Sequence, residues 1–409
     1  MQKKMEKVLA LEKVQAALSY IKENHLASME EHKQFIACEA PTFHEEKRAA
    51  LYCEKLKELG IEDAKIDAYG NVYGYRKGTG KGPTVLVEAH MDTVFPFGSV
   101  KEIRDEDGII YAPGATDDTR GMTAILAALR AMNAAGIQNK GDIIFAGTTR
   151  EEGSGSLGGM RDFLAYGPKV DASLSIDGAS TEAVTCEATG YYTYEINFHG
   201  IGGHAYAAFG EVANPLHAAA RAVAKIADFD VPDEPKTTFC VSNFHAGNAA
   251  GAHAIVKSAQ IIFNIRSNDQ KILEGLREQC FKAIQEACDE ESAKWQKDVI
   301  TWDYKEYCNV PAGVQDHNIP IVQAAYACAK HFSLDPEEVG IRQGGSVNGN
   351  RAIAAGVPCV TIGGGKLNCK IHTLEEYFPY KEAYRLPQEI LTMLCLLSGV
   401  EGESDSVLL

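Results

Sequence analysis

The chain has 409 residues, of which 45% are apolar and 23% charged, a balance typical of a globular protein with about two domains. Its formal net charge of -16 repels phosphate backbones and anionic lipid, so we expect no nucleic acid partner and no membrane partner. The 11 cysteines are scattered without a C-x-x-C pair, and Met1–Tyr20 carries no apolar signal core, so we expect a cytoplasmic protein with reduced thiols.

The first half of the chain alternates apolar strands with helices. Helices and a strand or two are expected up to about residue 75. A β-branched run predicts a buried strand over Thr84–His90, and apolar residues at helical spacing predict a helix through Met122–Met132. Ile143–Ala146 is expected to form a second buried strand. This alternation predicts an α/β domain with a mixed, largely parallel sheet between helices.

The pattern changes near Gly190 to the order β-α-β-β-α-β, which is typical of a ferredoxin-like (split βαβ) domain. The predicted elements are strand Tyr192–Phe198, helix Leu216–Ala227, strands Thr237–Val241 and Ala259–Ile265, helix Leu273–Ile284 and strand Ile300–Tyr304. We therefore expect residues 189–303 to form an inserted domain. Residues 1–188 and 304–409 together should form the other domain.

Five short segments carry side chains suited to metal binding or acid–base chemistry, and three of them follow an apolar strand. These segments contain His90 and Asp92, Asp117 and Asp118, Glu151 and Glu152, Asp177, and His372. Each has an ordinary interpretation by itself, such as a helix N-cap at the aspartate pair or an exposed loop at the glutamate pair. Together they supply imidazoles and carboxylates, a mixture that suits Zn²⁺, Co²⁺ or Mn²⁺.

The segment Gly153–Gly158 matches G-x-G-x-x-G, a motif associated with dinucleotide binding. The two glutamates directly before it would repel a pyrophosphate, so we reject that interpretation.

The motifs as an ordered set resemble the co-catalytic zinc peptidase family that includes peptidase T, glutamate carboxypeptidase, carnosinase-type dipeptidases and N-acyl amino acid deacylases. The resemblance is greatest to the peptidase T-like aminopeptidases and runs over nearly the whole chain. The segments that carry it are His90-Met91-Asp92-Thr93-Val94, Asp117-Asp118, Glu151-Glu152-Gly153, Gly200-Ile201-Gly202-Gly203-His204 and Ile265-Arg266-Ser267.

The resemblance implies two Zn²⁺ ions per chain, with Co²⁺ or Mn²⁺ as alternatives. One ion would be held by His90, Asp117 and Asp177. The other would be held by Asp117, Glu152 and His372, so that Asp117 bridges the two ions. Members of the family often have a cis peptide after the bridging aspartate.

The resemblance also implies that Glu151 is the general base and that Asp92 orients a histidine ligand. Four further residues are expected to contact substrate: His204, His253, Arg266 and Asn348. The chain departs from the family pattern at two places. Gly344–Asn348 stands where many members have Gly-Gly-Ser/Thr-Asp, and in the inserted domain His253–Val256 stands where many have Asn-x-Ile-Pro. These departures bear on substrate preference more than on chemistry.

The resemblance predicts a hydrolase of small peptides, and aspartate at position 177 favours an aminopeptidase or dipeptidase within the family. An N-acyl amino acid deacylase or carboxypeptidase of the same family is the closest alternative. A two-metal phosphoesterase is disfavoured by the acidic charge, and a non-catalytic binding protein by the intact Glu151 and ligand set. The inserted domain is expected to act as a lid and to form a homodimer in which His204 serves the partner's site.

Overall fold

We analysed a computed structural model of the chain, which describes residues 1–178, 181–295, 299–342, 344–363 and 369–409. The chain divides into two compact units. The first combines Met1–Ala188 with Val314–Leu409, and the second is Thr189–Gly313.

The helices and strands of the described residues follow in chain order. The helices are α1 Gln2–Leu9, α2 Glu12–Glu23, α3 His25–Ala37, α4 Glu46–Glu58, α5 Thr119–Ala134, α6 Gly158–Tyr166, α7 Pro215–Ala227, α8 Gln270–Ala293, α9 Pro320–Phe332, α10 Gly349–Ala354 and α11 Arg385–Ser398. The strands are β1 Lys65–Ile66, β2 Val72–Arg76, β3 Val85–His90, β4 Arg104–Glu106, β5 Ile109–Tyr111, β6 Ile143–Thr148, β7 Ala172–Ile176, β8 Ala183–Thr185, β9 Gly190–His199, β10 Gly203–His204, β11 Thr237–Ala246, β12 Ala254–Ile255, β13 Ser258–Ser267, β14 Thr301–Val310, β15 Gly340–Arg342, β16 Cys359–Ile362 and β17 Tyr377–Pro379. Among these described helices, none combines the length and the apolar character needed to cross a bilayer.

Within the described part of the first unit, eight strands form one sheet with the order β1-β2-β6-β3-β7-β16-β8-β15. Its central neighbours β6, β3, β7 and β16 run parallel, whereas β2 pairs antiparallel with β6. Every residue of β3 and β6 is buried, as expected for apolar runs in the middle of a sheet covered by helices. The predicted α/β domain with a mixed, largely parallel sheet is confirmed.

Helix α5 covers this sheet and is buried along most of its length. It packs on β3 and against α2, α3 and α11. It ends at Ala134, and Gly136 follows with a φ of 62°, a left-handed conformation that suits glycine at a helix C-terminus. Since β3, β6 and β7 are parallel, their carboxyl ends lie at one edge of the sheet, and functional side chains commonly follow such ends.

The described part of the second unit contains a four-stranded antiparallel sheet with the order β11-β13-β9-β14. Alternate residues of β9 and β13 are buried beneath α7 and α8, which contact the same face of the sheet. This is the predicted split βαβ order. The unit ends at Gly313 and not at the predicted residue 303, because β14 continues past a bulge until Val310 pairs with Tyr191.

Candidate active site

Side chains from five separated segments of the first unit meet at the carboxyl edge of the sheet. His90 is the last residue of β3, and it pairs with Thr148 at the end of β6, so the segment after β6 begins beside it. His90 Nε2 lies 2.8 Å from Asp117 Oδ1, and the Asp117–Asp118 peptide that precedes α5 is cis. The strand ends therefore bring together residues that are far apart in the sequence.

Asp117 presents one carboxylate oxygen to each of the two histidines. Its Oδ1 faces His90, whereas its Oδ2 lies 3.0 Å from His372 Nε2. The same His372 Nε2 lies 3.0 Å from Glu152 Oε1. This is the geometry expected of a carboxylate that bridges two cations.

Two overlapping groups of donor atoms are close enough to hold metal ions. His90, Glu151 and Asp177 form one group, and His90, Asp117 and Glu152 form the other, with all ligand atoms in each group within 4.8 Å of one another. Glu151 therefore lies within the cluster itself, beside the predicted ligands.

The charges in this cluster are costly without a cation. Burial, together with the charge of Asp117, raises the pKa of Asp177 to about 8. Burial also raises the pKa of Glu151 well above its ordinary value, despite the favourable field of His90, and the neighbouring acids add to the increase. Burial alone would lower the pKa of His90, but hydrogen bonds to Asp117 and Asp92 raise it well above its ordinary value. Buried acids and imidazoles in one nitrogen/oxygen donor set fit a pair of divalent metal ions.

Asp92 is fully buried and has two functions in the structure. The ring of His90 is oriented by the backbone of Asp92, whose carbonyl oxygen lies 3.0 Å from Nδ1, while the carboxylate is 3.5 Å away. The carboxylate oxygens accept hydrogen bonds from the backbone N–H groups of Glu151 at 2.9 Å and Glu152 at 3.0 Å. Asp92 therefore contacts His90 more closely through its backbone carbonyl than through its carboxylate, and the carboxylate supports the glutamate pair.

Glu376 is a further residue of this site that sequence reasoning missed. Its carboxylate accepts hydrogen bonds from the backbone N–H groups of Gly114, Thr116 and Asp117 at distances of 3.1, 2.6 and 3.1 Å. Burial raises its pKa to about 7, although these backbone bonds oppose the shift. Glu376 thus holds the segment that presents Asp117. Its position four residues after His372 was the only signal in the sequence.

Asn348 is buried and hydrogen-bonded within the first unit, and its expected contact with substrate stays a prediction. It is only 1% exposed, and its Nδ2 donates to Glu88 Oε2 at 2.9 Å and to Thr148 Oγ1 at 2.8 Å. Glu88 is a fully buried carboxyl on β3, and it also accepts a hydrogen bond from the hydroxyl of Ser175. A buried carboxyl needs donors, and Asn348 supplies one of them from beneath the site.

The other three predicted substrate-binding residues belong to the second unit. His204 on β10 pairs with Ala254 on β12, and the N–H of Ala205 donates to the carbonyl of His253 at 2.8 Å, so the two histidines lie close together at one antiparallel strand pair. Arg266 is exposed on β13, with its guanidinium 4.9 Å from the ring centre of Tyr191. Their roles toward substrate stay predictions.

Comparison with known proteins finds enzymes that are similar to this chain. A succinyl-diaminopimelate desuccinylase from Leptothrix cholodnii is 26% identical over 401 residues, covering 90% of this chain and 99% of that protein. Another from Burkholderia mallei is 30% identical over 267 residues, covering 60% of this chain and 70% of that protein.

Two solved structures share the fold over nearly the whole chain. A tripeptidase from Staphylococcus aureus has a TM-score of 0.73 at 22% identity, covering 93% of this chain and 97% of that one. The aminopeptidase PepT from Bacillus cereus has a TM-score of 0.74 at 20% identity, covering 91% of this chain and 98% of that one. The model of peptidase family M20/M25/M40 matches residues 86–394, which include the ligand cluster up to His372. The chain is therefore a metallopeptidase or amidohydrolase that belongs to peptidase family M20/M25/M40.

Proposed function

We propose that the protein is a two-metal hydrolase that cleaves the peptide bond of small peptides as an aminopeptidase or dipeptidase. The observation that carries the proposal is the convergence of Glu151 with His90, Asp117 and Glu152 at one edge of the sheet. Asp117 faces both histidines, which supports a site for two ions. Zn²⁺ is the proposed metal, and Co²⁺ and Mn²⁺ suit the same donors.

Glu151 is the proposed general base. The residue is 6% exposed, and its carboxylate lies among the ligands, where it can take a proton from the attacking water and return it to the leaving amine. His90, Asp117 and Asp177 would hold one ion, and Asp117, Glu152 and His372 the other. When bound, such a pair of ions polarises the scissile carbonyl and lowers the pKa of water. Asp92 and Glu376 keep the base and the bridging carboxylate in place through backbone hydrogen bonds.

A deacylase acting on N-acyl amino acids is the second candidate. The desuccinylases similar to this chain favour it, one of them over 99% of its own length. The aspartate at position 177 and the fold shared with a tripeptidase and an aminopeptidase favour peptides. Both reactions cleave an amide bond and use the same base, so they differ only in what flanks that bond.

A substrate panel separates the candidates. Purified protein supplied with Zn²⁺, Co²⁺ or Mn²⁺ would be tested on tripeptides, dipeptides, N-acetyl and N-succinyl amino acids, and p-nitrophenyl phosphate. We expect the highest kcat/KM on peptides with a free amino group, and a metal content close to two ions per chain. Higher kcat/KM on N-acylated substrates would select the deacylase. Full activity with one ion or none would reject the two-metal site.

We further propose that the second unit is a lid that forms a homodimer. Its sheet ends in the edge strands β11 and β14, and a closed dimer commonly covers such edges. Light scattering of the purified protein should give twice the mass of one chain. A fully active monomer would contradict this proposal.

A further inference from the structure

The backbone N–H groups of the glutamate pair and of the residue before it are all bound by buried carboxylates. Asp92 binds those of Glu151 and Glu152. The preceding one, on Arg150, donates to Glu45 Oε1 at 2.9 Å. Glu45 lies 105 positions earlier in the chain and is 5% exposed, so the contact joins two distant segments inside the unit.

Arg150 needs this support because its backbone is unusual. Its φ is 56°, a left-handed conformation that a non-glycine residue adopts only when its surroundings hold it. Its carbonyl accepts a hydrogen bond from the N–H of Gly158 at 2.9 Å, so both polar groups of this peptide segment are bound. The turn at Arg150 sets the direction in which the next residue, Glu151, leaves β6.

The same oxygen of Glu45 supports a second left-handed residue. Glu45 Oε1 also accepts a hydrogen bond from the N–H of Phe43 at 3.1 Å, and Phe43 has a φ of 74°. The neighbouring Thr42 donates its hydroxyl to Asp92 Oδ2 at 2.9 Å. Glu45 and Asp92 are therefore linked through the segment before α4, and together they bind the loop that carries the base.

We propose that Glu45 is a positioning residue for the general base: as a hydrogen-bond acceptor it holds the Arg150 turn that aims Glu151 at the reacting centre. The inference rests on the proposed function of Glu151. The bonds from Arg150 and Phe43 come from backbone N–H groups, so an acceptor oxygen at this position is what the turn requires. A misplacement of about 1 Å in catalytic geometry can cost about 100-fold in rate.

The test compares Glu45→Ala, Glu45→Gln and Glu45→Asp in the full-length, metal-loaded protein. Glu45→Ala should lower kcat by about 100-fold, with KM and metal content close to wild type. Glutamine keeps an oxygen at the same place, so Glu45→Gln should retain most of kcat. Aspartate is one methylene shorter and cannot reach both N–H groups, so Glu45→Asp should lose most of kcat even if the alanine variant does not fold.

Glu39→Ala is the matched control. Glu39 also accepts hydrogen bonds from two backbone N–H groups, those of Gly98 and Val100, each at 2.8 Å, but it contacts a different loop. Its kcat should equal that of wild type. A wild-type kcat in Glu45→Asp, a glutamine variant as impaired as the alanine variant, or loss of metal from Glu45→Gln would overturn the proposal.

Hydrogen exchange gives a readout that does not depend on activity. In Glu45→Ala, or in Glu45→Asp if the alanine variant does not fold, the N–H of Arg150 should exchange faster, while those of Glu151 and Glu152 stay protected by Asp92. In Glu39→Ala all three should stay protected. If the wild type hydrolyses nothing in the panel, the proposed function fails while this measurement still tests the hydrogen bond. Unchanged exchange at Arg150 would reject the contact itself.

Discussion

In the first unit the predicted ligands and base contact one another and most are buried, whereas in the second unit the predicted substrate-binding side chains of His204 and Arg266 are exposed. Buried charges need partners within the fold, so the contacts of His90, Asp117 and Glu152 indicate which side chains act together in the site. Exposed side chains have no such requirement, because water can satisfy their polar groups. The contacts in the first unit thus support an enzymatic activity. The substrate specificity that the second unit is predicted to provide has to be measured.

The largest expected effect comes from breaking the buried cluster at the base. Glu151→Gln should lower kcat by about 10²–10⁴-fold, because it removes proton transfer, while KM and metal content change little. Glu152→Gln is the contrasting variant. Glu152 contacts His372 at 3.0 Å, so its replacement should lower the metal content. Metal analysis and steady-state kinetics of both variants decide the roles, and loss of metal only from Glu151→Gln would reverse them.

A mixing experiment tests whether the exposed histidine of the second unit serves a partner chain. Glu151→Ala and His204→Ala should each be inactive alone. After random subunit exchange half of the dimers are mixed, and each mixed dimer contains one complete site if His204 acts on the partner. About a quarter of wild-type activity should then return. Verified exchange without recovered activity would place His204 within its own chain's site.

Glu389 is a buried carboxyl of the first unit that lies outside the metal cluster, and it tests what a buried charge costs when it has no cation beside it among the described residues. Burial raises the pKa of Glu389 from its ordinary value of 4.5 to about 8, and the charge of Glu182 adds to this shift. Its Oε1 has no hydrogen-bond partner in the described structure. Between these two pKa values the folded chain binds more protons than the unfolded chain, so stability falls as the pH rises from 4.5 toward 8.

Glu389→Gln removes this pH dependence. The variant should unfold at a higher temperature than wild type at pH 8, and the difference should shrink as the pH falls toward 4.5. Each unit of difference in pKa corresponds to about 1.4 kcal/mol of unfolding free energy. Thermal unfolding of both proteins across this pH range measures the effect. A difference that does not vary with pH would contradict it.

The smallest expected effect concerns Asn348, and it distinguishes a role in stability from a role in substrate binding. Asn348→Ala removes a donor to the buried Glu88, so the free energy of unfolding should fall by about 1–3 kcal/mol. KM should stay close to that of wild type, since the side chain is only 1% exposed. Urea denaturation and kinetics check the two statements. A raised KM with unchanged stability would support the substrate-binding role instead.

Local patterns were sufficient to predict the elements that carry the site. The β-branched run ending at His90 forms β3, and the apolar spacing through Met122–Met132 lies within α5. The split βαβ order was also readable, because β9 alternates and α7 and α8 each have one apolar face. The end of β14 at Val310 was not predicted, since its last residues are defined by pairing with β9 and not by their own alternation.

The sequence by itself determined the family, the order of the elements and the residue types of the metal cluster, because these depend on local spacing and ordered motifs. Only the tertiary structure decided which of these residues share a carboxylate, and that Glu45, Glu376 and Asn348 support the site from segments far along the chain. The physical reason is that a buried carboxyl can be satisfied only by the donors that the fold brings to it. In this protein most of those donors are backbone N–H groups, which every residue except proline possesses and which no sequence pattern distinguishes.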